Sequence, residues 1–160
     1  MTDDWYERLR ILRASFFDGA EDEVRRARAI YRDIVGQEAI VRLTLMLGLT
    51  LTEGGQDWAI EVAEGARTAE FLDCYETRLL DEDERHYLLE LIIASLDDHL
   101  NHIGPADDLS GRLRHHLLTS FDAHRYSVKY WAQLDDPEAT RFAVSPLMRE
   151  IWQAAGAAPD

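Results

Sequence analysis

Leu80-Asp81-Glu82-Asp83-Glu84 leads into Tyr87, Leu88, Leu91, Ile92, Ser95 and Leu96. Acids come first, followed by mainly apolar residues at three- and four-residue intervals. That order marks the start of an amphipathic helix and then one of its faces. Asp81 is the expected N-cap, because a short carboxylate can accept the unpaired N–H groups of a first helical turn. Glu84, three residues on, makes a variant of the capping box. Gly104-Pro105 is the expected stop.

The same spacing continues outward in both directions. Trp5, Leu9, Leu12 and Phe16 form one stripe behind Asp3 and Asp4, and Asp18-Gly19 ends it. A second helix is expected over 21–35, with Val24, Ala27, Ile30, Tyr31 and Ile34 facing inward. Residues 37–51 are apolar enough to read as a central helix buried on most sides. A strand there would have no partner. Glu53-Gly54-Gly55-Gln56 reads as a loop, and 57–80 as a helix interrupted near Gly65. Downstream, a helix over 107–134 is expected, bent around Phe121-Asp122, with Ser145-Pro146 opening the last one. The fold expected is all-α: a single irregular bundle of about six to eight helices, with HEAT-like helix pairs as a variant. The domain expected is 1–156, with 157–160 a disordered tail.

Composition narrows the function classes. The chain has 160 residues, 46% hydrophobic and 30% charged, which suits one globular domain. Its formal net charge is −14, which argues against direct nucleic-acid binding, since phosphate contact needs a basic surface. No run of about 18 apolar residues occurs, so no membrane span is expected. Met1-Thr2-Asp3-Asp4 is acidic where a signal peptide would be basic, so a cytoplasmic location is expected. Cys74 is the one cysteine, too few for a disulfide or a cysteine-rich zinc site. Among neighbouring anions it is a poor thiolate, and it is expected in the core. Lysine occurs once, at Lys129, beside arginines throughout, as a GC-rich bacterial coding sequence would give.

The charge is unevenly distributed. Residues 1–35 hold 8 acidic and 7 basic side chains, and 112–160 hold 6 of each. Residues 36–111 hold 17 acidic and 4 basic, so the middle of the chain carries nearly all the excess. Its densest clusters are Asp81-Glu82-Asp83-Glu84, Asp97-Asp98 and Asp107-Asp108. Singly, such clusters suit solvated helix starts. Together they describe a negative surface that speeds encounter with a basic partner and suppresses wrong ones.

Catalytic patterns are missing. Ser95, Ser110, Ser120 and Ser145 lack a Gly-x-Ser-x-Gly setting, and Gly54-Gly55 has no following phosphate-binding lysine. His115, His116 and His124 lie among arginines with no nucleophile assigned to them. No cofactor is expected. The leading expectation is a non-enzymatic, acidic bacterial protein that acts as an inhibitor or immunity protein against a basic partner: a toxin, nuclease or nucleic-acid-binding protein. Asp81, Glu82, Asp83, Glu84, Asp97, Asp98, Asp107 and Asp108 would make its contacts, with a tyrosine or tryptophan as anchor. Tyr126, Tyr130 and Trp131 are anchor candidates whose sequence spacing does not separate core from surface. An alternative is a helical metal-binding protein or enzyme using His86, Glu90, Asp98, His99 and His102, without the spacing of a known di-iron or zinc motif. A third is a scaffold subunit with salt-resistant apolar contacts, one form of which is a homodimer.

Overall fold

Helical spacing in the sequence is realised as helix throughout the described residues, with no strand among them. The structure is a computed structural model, and it describes residues 20–30, 37–52, 57–136 and 141–156. In chain order the helices are α1 (Ala20–Ile30), α2 (Gln37–Leu47), α3 (Trp58–Glu61), α4 (Thr68–Thr77), α5 (Glu82–His102), α6 (Asp107–Thr119), α7 (Phe121–Ala132) and α8 (Ser145–Ala154). A 3-10 turn at Gly65–Arg67 precedes α4. The architecture is an all-α multi-helix bundle. The expected first helix, the 53–56 loop and the 157–160 tail lie outside the described residues.

Contacts divide the chain into two compact units. One draws on described residues up to Val62 and on Cys74–Leu88; the other draws on Ala63–Asp73 and on the chain from Leu89. In the first unit α1 packs against α2, and Ala39, Ile40, Val41, Leu43 and Thr44 make the buried side of α2. Trp58, Cys74, Tyr75 and Leu88 are buried as well. The Trp58 and Tyr87 rings meet edge to face with centroids 6.5 Å apart, and the Arg85 guanidinium lies 4.4 Å from the Tyr75 ring centre. α2 ends earlier than its apolar run suggests, at Leu47. Gly48 follows in the left-handed region at φ 59°, and Leu49 N–H donates back to Thr44 O at 2.9 Å, closing the helix end.

In the second unit Leu91, Ile92, Ile93, Ala94, Ser95 and Leu96 are all buried in succession. At 3.6 residues per turn, six in a row pass right round the axis, so α5 is covered on every side here. That corrects the expectation that 37–51 is the helix enclosed by its neighbours. Arg42 interrupts the α2 run and stays at the surface, and Leu45, Met46 and Leu47 are only half-buried. Each fully buried leucine or isoleucine of α5 contributes about 1.5–3 kcal/mol.

The expected 107–134 helix is two helices. Ser120, at φ −123° and ψ 38°, is not helical and separates α6 from α7. Leu113 and Leu117 of α6, Val128, Trp131 and Ala132 of α7, and Met148, Ile151 and Trp152 of α8 fill the space between them. Ser145 opens α8, and its hydroxyl donates to Trp131 O at 2.6 Å, tying the start of α8 to the end of α7.

Candidate functional site

The first acidic cluster begins with a cap. Asp81 Oδ1 accepts the Glu84 backbone N–H at 2.8 Å, as the sequence implies. The Glu84 carboxylate turns instead to Arg42, which donates through Nε to Glu84 Oε1 at 2.9 Å and through its terminal nitrogen to Asp81 Oδ2 at 2.8 Å. One guanidinium thus bridges two of the four acids. Glu84 is 7% exposed. Burial pushes its carboxyl pKa up, with neighbouring Asp81 adding to the effect and Arg42 opposing it. Asp81 moves the other way, held down chiefly by the Glu84 N–H against some desolvation. Glu82 and Asp83 are exposed in the first turn of α5.

Asp97 and Asp98 are structural as well. Asp97 Oδ1 accepts the Val144 N–H at 3.0 Å, and Oδ2 accepts from the Asn101 amide at 3.2 Å. Burial raises the Asp97 pKa, opposed by the N–H groups of Val144 and Ala143. Asp98 Oδ2 accepts the Gly65 N–H at 2.7 Å, and Oδ1 lies 2.9 Å from His102 Nδ1. His102 Nδ1 also lies 3.1 Å from Asp98 O; both neighbours are acceptors, so that nitrogen carries the proton. His99 Nδ1 faces Gly65 O at 3.1 Å and donates to it by the same reasoning. Thr68 Oγ1 donates to that carbonyl at 2.8 Å, and Glu64 N–H donates to Ser95 Oγ at 3.2 Å. These groups fasten the turn before α4 onto α5.

The residues of the metal alternative are therefore otherwise placed. Asp98 and His99 hold the Gly65 turn, His102 lies against Asp98, Glu90 accepts a hydrogen bond from the Ser127 hydroxyl, and the His86 ring meets Tyr87 edge to face. Among the described residues no three His, Cys, Asp or Glu side chains are grouped to hold a metal ion.

Asp107 and Asp108 are exposed in the first turn of α6. Ala106 at the N-cap supplies no side-chain bond, so these carboxylates are the anionic complement of that helix start. The eight acids thus fall into two groups. Asp81, Glu84, Asp97 and Asp98 have partners within the fold, whereas Glu82, Asp83, Asp107 and Asp108 face solvent. Sequence reading missed Arg42. Its one signal was a lone cation inside an apolar run.

The aromatic candidates separate too. Trp131 is buried, while Tyr126 and Tyr130 are 86% and 50% exposed. No described helix is long and apolar enough to cross a membrane. No protein-family model, curated protein or solved structure matches the chain.

Proposed function

We propose that the protein is a non-enzymatic binding domain for a basic protein, acting as an inhibitor or immunity factor that covers a toxin or nuclease. The observation that carries this reading is the acid excess of residues 36–111 together with the engagement of three of that segment's four arginines. Arg42 is bound to Asp81 and Glu84, Arg67 to Glu64 and Glu70, and Arg85 lies over Tyr75. Glu82, Asp83, Asp107 and Asp108 remain at the surface with their charge directed to solvent. Such charge raises the encounter rate with a positive partner and fades with salt.

The test starts with partners captured from a lysate of the source organism at low and high salt. Association of the captured basic protein is then timed against Glu82→Lys/Asp83→Lys/Asp107→Lys/Asp108→Lys. The on-rate at low salt is expected to fall by about tenfold or more, with a flatter salt dependence. An unchanged on-rate would overturn the proposal. A partner held equally well at all salt concentrations would favour the scaffold reading.

A further inference from the structure

The end of α7 carries a feature that the acidic clusters do not account for. An open groove of about 410 Å³ lies there, lined by Tyr126, Lys129, Tyr130, Gln133, Leu134, Asp135 and Asp136. Tyr126 is the most exposed of the large hydrophobic side chains described. Tyr130 is braced from behind, its ring centroid 5.6 Å from both Trp131 and Phe142.

The lining includes Gln133, the residue that ends α7. Gln133 adopts φ 51° and ψ 52° and is the only non-glycine residue with positive φ among the described residues. A left-handed residue at this position is a common way to close a helix end, and it turns the chain after Ala132. Arg149 fixes the turn from outside the groove, donating through Nε to Ala132 O at 2.8 Å and through a terminal nitrogen to Asp136 O at 3.4 Å.

The groove's charge selects its occupant. Arg149 already occupies the carbonyl end of α7, so it is the adjacent carboxylates of Asp135 and Asp136, against Lys129 among the lining side chains, that favour a cation. Two tyrosine rings at i and i+4 offer faces to a planar cation, and adjacent carboxylates offer paired acceptors. A guanidinium satisfies both better than an ammonium does. We infer that this groove docks an arginine side chain of a basic protein partner, stacked on Tyr126 and Tyr130 and paired with Asp135 and Asp136. The inference rests on the proposed reading of the partner as basic, but it assigns the anchor to a different surface from the exposed acids.

A hexa-arginine peptide is the probe, titrated into the full chain at about physiological salt and followed by NMR at the tyrosine rings. Saturable shifts are expected at Tyr126 and Tyr130, with hexa-lysine binding more weakly. Asp135→Asn/Asp136→Asn and Tyr126→Ala are each expected to weaken hexa-arginine binding about tenfold. All three residues are exposed, so these variants should keep the fold, and unchanged backbone spectra check that. Binding that the groove variants leave unchanged, but that the four-lysine variant abolishes, would overturn the groove while leaving the proposed function standing. Free arginine amide binding as tightly as the peptide would mark a small-ligand pocket and overturn the docking inference.

Discussion

Arg42 is the residue on which the first acidic cluster depends. It stands in α2, separated in sequence by 39 and 42 positions from the two carboxylates it joins. Burying Glu84 without it would leave a carboxylate with an adjacent Asp81 and no cation. Arg42→Met should therefore cost about 1–3 kcal/mol in urea unfolding at neutral pH. Adding Glu84→Gln should recover most of that loss, because the uncompensated charge is then gone. The pH dependence has a definite sign. The folded-state pKa of Glu84 is raised by burial first and by Asp81 second. Its contribution to stability is therefore fully present below the ordinary carboxylate pKa and is lost as pH rises through the raised value. Arg42 limits that loss by stabilising the ionised form. The Arg42→Met penalty should accordingly be largest above the raised pKa and shrink as acid protonates Glu84. A penalty that stayed constant with pH would show that lost packing of the arginine stem, rather than the ion pair, is responsible.

At the scale of elements, the tightest junction is that of the Gly65 turn with α5. A Cβ placed on Gly65 would lie 2.5 Å from His99 N and 2.8 Å from both His99 Cα and Asp98 Oδ2. Two of those atoms are helix backbone and cannot swing aside. Gly65→Ala should destabilise by about 1–3 kcal/mol, the usual range for overpacking, as read by urea unfolding. It should also expose the Gly65 and Glu64 amides to hydrogen exchange. This junction shows what local sequence conveys and what it does not. The start, spacing and stop of α5 are all local, so the helix is legible from Asp81 to Gly104. The interruption at Gly65 is legible as a break. The reason for glycine there is not, because His99 is 34 positions away. The split at Ser120 falls one residue before the expected bend, where no proline or glycine signals it. The apolar run of 37–51 predicts the central helix, buried on most sides, yet it is α5 that is covered all round, because hydropathy records what a segment tolerates and not which neighbours cover it. Candidate acids were identifiable as a set. Their division into structural and solvent-facing members follows from Arg42, Val144 and Gly65, all distant in the chain. Tyr126 and Tyr130 likewise separate from Trp131 only when α8 and the segment at Phe142 are in place.

For the whole molecule, a net charge of −14 opposes compaction through self-repulsion, so carboxylates with no internal role need another reason to be kept. Glu82, Asp83, Asp107 and Asp108 do have one favourable local effect, since each sits in the first turn of a helix. That is worth about 0.3–1 kcal/mol per side chain at low salt. Removing the four charges together loses this benefit and relieves repulsion, two changes of opposite sign and similar size. Glu82→Gln/Asp83→Asn/Asp107→Asn/Asp108→Asn should therefore move the unfolding free energy by no more than about 1–2 kcal/mol. Asp98→Ala alone should cost at least as much, since it leaves the Gly65 N–H without its carboxylate acceptor. Salt separates the two effects. Raising ionic strength from about 0.01 M to about 0.15 M shortens the screening length from roughly 30 Å to roughly 8 Å. It should stabilise the natural protein more than the four-site variant, because the natural protein has more repulsion to screen. Thermal melts of both proteins across that range measure the difference. A variant stabilised by several kcal/mol would mean that these acids are held against a large folding cost. A variant destabilised by as much would mean that they support the helix starts, and their surface charge would then need no partner to explain it.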